Sequence, residues 1–314
     1  MDRPQKDILL CNTIEDSKVC ISSILKLYFR LISTSHSYTC TNLAEADCIM
    51  SMQMMFTRGC SFVQLLDGFN YQDGEEVLNR IIDPSVLYSL VRDVYESLCS
   101  FELVYILPDT GEKKELAYNM YLISGLRERQ NYDIRTQDAS QLKADELKEI
   151  NEANDKIKQL GYYRNLSRED QNYIQAKIAS PHPRYRMLYG DDALTHNVEW
   201  ENAYRLIGIK EEVLKDMYNF LSAHAHPTAI SLRQFRDSFL LNDPHFIEAA
   251  CMASKTMAML LSIYMVDFCK KFAFAKGEFD KIDEYIQWLI DKNNVTFRGY
   301  EYALSDKWEN EDRK

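Results

Sequence analysis

A chain of 314 residues with 46% hydrophobic and 12% aromatic residues can bury a substantial core, and it exceeds the usual size of one domain. One large helical domain with appendages and two packed bundles are both open. The net charge of −11 opposes long-range attraction to phosphate backbones and acidic bilayers, so a general nucleic-acid binder is excluded and RNA is left only a local basic patch.

With 10 glycines and 7 prolines, placed mostly where helices should start or stop, the composition is that of a helix-rich chain, and no strand-like alternation with hairpin turns is sustained. The N-terminus is polar and carries only the brief apolar run Ile8-Leu9-Leu10, so no cleavable secretory signal is expected. A first helix is expected over Glu15 to Ser33, with Thr13 as N-cap. A second opens on the capping box Asn42-x-x-Glu45 and ends before Gly68. Its Met50, Met52, Met54, Met55 and Phe56 read as adaptable core filler.

Asp83 and Pro84 start a third helix, which Pro108 stops. Its apolar stripe is Leu87, Leu90, Val91, Val94, Leu98 and Phe101. A fourth runs from Glu115 to Arg129. The charged stretch Gln141 to Leu160, closed by Gly161, predicts a solvated helix projecting from the body. Ser167-x-x-Asp170 caps a short helix, and Pro181 to Asn197 is the longest irregular region. Helix resumes near Glu199, breaks at Gly208, and runs again from Lys210 to Ala225. A connection then leads to Asp243-Pro244, which opens a long helix ending before Gly277. Within it Thr256 to Val266, bracketed by Lys255 and Asp267, is too short to span a bilayer and reads as a buried core helix. A last amphipathic helix covers Asp280 to Lys292, ending at Asn293-Asn294, before a charged, loosely held tail.

The expected fold is all-α, an antiparallel helical bundle with additional peripheral helices. Residues 1–133 supply its N-terminal helices, 134–198 a charged helical insertion and irregular region, 199–294 the helices completing the bundle, and 295–314 the tail.

The most chemically pointed feature is the helix end Tyr218-x-x-Leu221-Ser222-x-x-x-His226-Pro227. Tyr218, Ser222 and His226, spaced i, i+4, i+8, form one stripe. Pro227 pushes His226 out of the α region to the C-cap, where the partial negative charge of the terminus favours its protonated form. Ser222 stands where it could hydrogen-bond the imidazole. In the plainer reading His226 caps its own helix carbonyls, Ser222 back-bonds to Tyr218, and Tyr218 packs with its hydroxyl satisfied. His224, two positions away, points off the stripe. Arg92-x-x-x-Glu96 on the third helix is the second constellation. As an exposed pair it adds little, whereas facing the bundle, Glu96 could orient His226 or Arg92 could hold an anion. In the irregular region, His182-Pro183-Arg184-Tyr185-Arg186 could touch phosphate or stack on a base, or be a loop tied to the acidic surface.

The run Leu90-Val91-Arg92-Asp93-Val94-Tyr95-Glu96, followed by Tyr218-Asn219-Phe220-Leu221-Ser222-Ala223-His224-Ala225-His226-Pro227, resembles a bacterial family of uncharacterised helical proteins, domain of unknown function 5677. In that family an R-x-x-x-E helix precedes a Y-x-x-L-S-x-x-x-H-P helix end. The resemblance covers about residues 40 to 270 and implies Arg92, Glu96, Tyr218, Ser222 and His226 as site positions, with no established activity. A looser similarity is to HEPN helical bundles, whose ribonuclease members use an Arg and a His four to six residues apart; here Arg30 and His36 have that spacing.

Eight cysteines show no C-x-x-C pair and no zinc-type spacing, so they read as reduced core thiols in the cytoplasm, with no metal and no cofactor implied. There is no phosphate-binding glycine loop, no G-x-S-x-G and no H-E-x-x-H. The expected function is binding of a small ligand or protein partner at a polar cleft between the Arg92/Glu96 helix and the Tyr218-Ser222-His226 helix end. In that reading Tyr218, Arg92, Arg184 and Arg186 contact the ligand. The alternative is a HEPN-like ribonuclease or other phosphodiester-cleaving enzyme of a stress or phage-defence system, with His226, Ser222, Arg92 and Glu96 catalytic. A homo-oligomer packing through Tyr- and Met-rich faces is a third class.

Overall fold

The computed structural model describes residues 3–133, 135–191, 193–226, 228–240 and 244–305. Pro227, Asp243 and the tail from 306 onward lie outside the described residues. The fold is all-α, a helical bundle with additional helices, and sheet is confined to two short ladders. The chain divides into two compact units, one formed by residues up to Cys99 together with those from Trp200 onward, the other by Ser100–Glu199.

The first unit is built on helices α2 (Ile14–Ser35), α3 (Leu43–Leu65), α13 (Pro244–Lys271) and α15 (Glu284–Arg298), with a short α1 (Arg3–Leu10) packed on α2. The Thr13 side chain accepts the Asp16 amide, and Asn42 accepts that of Glu45, whose carboxylate in turn accepts the Thr41 amide 2.8 Å away. Both cap assignments therefore hold, with the box closed on the residue before the cap. The interior is filled by Ile24, Leu27, Tyr28 and Leu31 of α2, Met52, Met55 and Phe62 of α3, and Leu260, Leu261, Tyr264 and Phe268 of α13. Each such side chain contributes roughly 1.5–3 kcal/mol by leaving water. Two of the buried tyrosine hydroxyls are satisfied: Tyr28 donates to the Leu261 carbonyl (2.8 Å), and Tyr264 lies 2.6 Å from Ser51. Of the α3 methionines only Met52 and Met55 fill the core. Met50 and Met54 are about half exposed, because their i, i+4 spacing puts them on one face of the helix while Met52 and Met55, spaced i, i+3, share the other.

Several boundaries differ from the expectations. Residues 69–81 form an antiparallel hairpin, β1 (Phe69–Asp73) and β2 (Glu76–Ile81), turning at Gly74 with φ +60°. The two-residue loop is Gly74-Glu75, with glycine at its first position, and it lies between short apolar-polar runs that helix-oriented reading passes over. After α9 (Trp200–Leu206), the Lys210–Ala225 helix is interrupted, giving α10 (Glu211–Leu214) and α11 (Met217–Ala225). The expected connection after residue 227 contains α12 (Ala229–Leu240), whose first turn is held by the Thr228 hydroxyl accepting the Ser231 amide. The long helix breaks at Phe272 (φ −115°, ψ 116°), and α14 (Ala273–Phe279) runs through Gly277. Helix α15 continues past Asn293 and Asn294, both buried, and stops at Gly299 with φ +115°. Asn294 donates to the Tyr302 carbonyl (2.8 Å), so a polar residue that looked like a stop is an internal tether.

Among the described residues one helix stretch, His245–Lys271, is long and apolar enough to cross a membrane, and 78% of its most apolar window is buried inside the fold. Near its end Asp267 forms a buried ion pair with Arg298, whose guanidinium lies 3.9 Å from the Tyr302 ring centroid.

The division between the units falls within α4 (Pro84–Phe101), which opens with the Asp83 carboxylate accepting the Ser85 amide (2.8 Å) and continues as a π-helical turn over Glu102–Ile106. The second unit contains α5 (Gly111–Gln130), α6 (Gln137–Gln159), α7 (Gly161–Asn165) and α8 (Arg168–Ala179). Helix α6 is not a solvated projection. Its Ile150, Ala153 and Ile157 pack with Leu116, Met120 and Ile123 of α5 and Ile174 and Ile178 of α8 into a separate apolar core. Three well-spaced apolar residues suffice to seat a helix whose remaining faces are charged. Gly161 opens α7 instead of closing α6: its amide and that of Tyr162 donate to the Glu112 carboxylate at 3.0 and 2.6 Å. In the irregular region β3 (Leu188–Tyr189) and β4 (Leu194–Thr195) pair.

Candidate functional site

Helices α4 and α11 carry the two sequence constellations, and the structure brings four of their five named side chains together. Arg92 Nε donates to Glu96 Oε1 (2.9 Å), Nη2 donates to the Tyr218 hydroxyl (3.3 Å), and Nη1 lies 3.2 Å from His226 Nε2. Tyr218 donates onward to the same Glu96 oxygen at 3.1 Å, closing a ring of hydrogen bonds. The guanidinium also faces the Tyr218 ring, 5.4 Å from its centroid. Both members of the ion pair are partly shielded, with side chains 23% and 30% exposed, while His226 is exposed.

This arrangement follows from the local fold. Arg92 and Glu96 lie one turn apart at the edge of the buried stripe Leu87, Val91, Val94 and Leu98, so their heads reach along the neighbouring helix. Tyr218 stands in the first turn of α11, its ring 5.8 Å from that of Tyr95. Tyr95 is itself fixed by donating to the Trp200 carbonyl over 2.6 Å. Burial alone would lower the affinity of the Arg92 guanidinium for its proton; Glu96 and Tyr218 outweigh it and hold the pKa above its usual value. Burial, then the Glu96 carboxylate, raises the Tyr218 phenol. The charge on Arg92 is thus permanent and compensated.

His226 occupies the C-cap with extended backbone (φ −112°, ψ 144°), as expected of a residue before proline. Its side chain does not cap its own helix; the Thr228 hydroxyl does, donating to the Ala223 carbonyl at 3.0 Å. An arginine has no acceptor, so in a hydrogen bond between Nη1 and Nε2 the imidazole nitrogen is the one that accepts.

Ser222 does not join the cluster. Its Oγ is sealed from solvent with no hydrogen-bond partner among the described residues, neither His226 nor the Tyr218 carbonyl. The i, i+4 relation fails because the backbone leaves the helix at His226, which turns that side chain toward Arg92. His224 is a packing residue: Nδ1 donates to the Phe220 carbonyl (2.9 Å), and its ring lies 5.1 Å from that of Tyr88.

Arg184 and Arg186 belong to the second unit, where both approach Glu199, at 3.5 and 3.8 Å. They form the acid-tied loop of the plainer reading. Arg30 pairs with Glu278 (3.1 Å), and no hydrogen bond among the described residues joins it to His36. Sequence reasoning read Asp170 only as part of the Ser167-x-x-Asp170 cap; its carboxylate also lies 2.8 Å from His196 Nε2, while the imidazole stacks 3.7 Å from the Tyr173 ring. The separation of 26 positions between Asp170 and His196 hides this pairing from any local pattern. Among the described residues no group of three or more His, Cys, Asp or Glu side chains is placed to hold a metal ion.

The fold and cluster together define an all-α bundle protein with a preassembled Arg-Glu-Tyr-His surface site. The sequence matches no family model, and no curated protein or solved structure matches it.

Proposed function

We propose that the protein is a binding module that takes a small polar ligand or a protein partner at the Arg92-Glu96-Tyr218-His226 cluster. Membership of the bacterial uncharacterised family named above is part of the same proposal. The observation that carries it is the engagement of Arg92: each of its nitrogens has one acceptor, within a ring closed by Tyr218 and Glu96. Such a ring presents a rigid, charge-compensated surface with the Nδ1 edge of the exposed His226 offered as a donor. Preorganisation of this kind favours recognition, because little entropy remains to be lost on binding.

The ribonuclease alternative asks more of the same residues. His226 Nε2 would have to leave the guanidinium before moving a proton. The free thiols support a cytoplasmic setting, with Cys11, Cys20, Cys48, Cys99 and Cys269 buried in a chain that uses no disulfide.

The test is a thermal-shift screen of a metabolite library against the wild type and Arg92→Gln. Compounds that stabilise the wild type and lose that effect in the variant are expected; a library in which every shift is equal in both proteins overturns the reading. Incubation with total RNA beside His226→Ala addresses the alternative, and cleavage by the wild type alone would replace the binding proposal.

A further inference from the structure

One turn before Arg92, α4 borders a cavity of about 380 Å³ that α11, α12 and α13 complete. Its walls are mostly aromatic, with Tyr88, Phe220, Phe235, Phe246 and the His224 imidazole closed on one side by Ala249. The rings are set edge to face: Tyr88 and Phe220 at 5.0 Å and 75°, Phe235 and Phe246 at 5.8 Å and 66°. They therefore hold one another in place and leave ring faces and edges for a guest. The volume lies within the range of small-molecule sites, about 300–1,000 Å³.

Tyr88 brings a polar group to this aromatic wall. It is 4% exposed, and its hydroxyl makes no hydrogen bond among the described residues. Burial pushes its phenol up to about 12, so it remains a neutral donor at any physiological pH. A tyrosine hydroxyl in an apolar site normally finds an acceptor. The other polar groups are already engaged: Ser85 donates to Asp83 (2.7 Å), His224 Nε2 lies 2.6 Å from the Gln234 amide, Asp237 pairs with Arg236, and His245 with Glu248.

We propose that this cavity is a binding site for a small, neutral aromatic molecule bearing one hydrogen-bond acceptor, its ring held among Tyr88, Phe220, Phe235 and Phe246 and its acceptor taking the Tyr88 hydroxyl. With Asp237 neutralised by Arg236, the site lacks the free anion that a cationic guest would need, which separates it from an ammonium-binding aromatic cage. The site is independent of the Arg92 cluster, which supplies none of its walls.

The experiment titrates the full-length protein with acetophenone, with ethylbenzene as its near-isostere lacking the acceptor, and with benzyltrimethylammonium, following binding by calorimetry. Acetophenone is expected to bind the wild type about tenfold more tightly than ethylbenzene, and Tyr88→Phe to remove that preference without altering ethylbenzene affinity. Ala249→Leu, which fills the cavity with apolar volume, is expected to abolish binding of both and so reports on the site even where Tyr88→Phe perturbs the fold. No binding of either neutral probe, equal affinities unaffected by Tyr88→Phe, or tighter binding of benzyltrimethylammonium would each overturn the proposal.

Discussion

Arg92 and His226, 134 residues apart in sequence, meet with Nη1 3.2 Å from Nε2, and the permanently charged partner dictates that the imidazole accept. The contact joins the middle of α4 to the end of α11 through two residues that also sit in the proposed recognition surface.

Because both ends of the Arg92–Glu96 pair keep part of their solvent contact, its worth is that of a good surface pair. A double-mutant cycle of Arg92→Gln with Glu96→Gln, read by urea denaturation, is expected to return a coupling of about 0.5–1 kcal/mol. Tyr218→Phe removes the hydroxyl that links the two and should cost roughly 0.5–1.5 kcal/mol in the same measurement.

The Asp267–Arg298 pair is different, since its side chains are only 5% and 4% exposed. Asp267→Ala leaves an uncompensated buried guanidinium and should destabilise the protein by about 3–5 kcal/mol, whereas the double replacement Asp267→Leu/Arg298→Met should recover most of that loss. Equal melting temperatures for the single and double variants would contradict this account.

For Asp170, burial alone would raise the carboxyl, but the hydrogen bonds from His196, Ser167 and the Leu194 amide outweigh it and bring the pKa below the usual value. A carboxyl depressed in the folded state contributes stability above its unfolded pKa of about 3.9 and loses it as pH falls through the lower folded value. Asp170→Asn should therefore flatten the acid limb of a stability-versus-pH curve below about pH 4.

Thiol labelling separates the cysteines by burial. Cys40, Cys60 and Cys251, partly exposed, should react with an aromatic disulfide reagent in the native protein, while the five buried thiols wait for unfolding. Cys48 is the clearest case, because burial pushes its thiol up to about 12 and leaves almost no thiolate near neutrality.

Two glycines with positive φ predict opposite tolerance. At Gly208 (φ +77°) a Cβ would meet the Tyr302 hydroxyl at 2.2 Å, so Gly208→Ala combines backbone strain with a clash and should cost more than the roughly 1–2 kcal/mol of a left-handed alanine alone. At Gly74 (φ +60°) nothing lies within 4 Å, and Gly74→Asn should change stability by less than about 1 kcal/mol. Melting curves of the two variants make the comparison.

Local chemistry was legible wherever its partners lie within a turn. The Thr13 and Asn42 caps, Pro84 at a helix start, the Gly208 break and the extended His226 backbone were all readable from neighbours in sequence. The convergence of Tyr218 with His226 followed from spacing, although Arg92 and not Ser222 turned out to hold the imidazole, because helical spacing ends where the helix does. Features set by distant contacts were not legible. Nothing near Phe272 marks it as the break in the long helix, and the charge of α6 concealed Ile150, Ala153 and Ile157 because burial depends on what α5 and α8 present to them. The pairing of Asp170 with His196 is of the same kind.

The shielding of α13 carries a consequence for how this chain can be shortened. The helix is hydrophobic enough to be taken for a membrane segment, and what keeps it from behaving as one is its jacket of α2, α3, α14 and α15, drawn from both ends of the chain. A fragment lacking α2 or α15 would present that helix as an uncovered apolar rod, an invitation to aggregation or to a lipid surface. The two ends of the sequence thus act together as a solubilising sleeve for the segment between them.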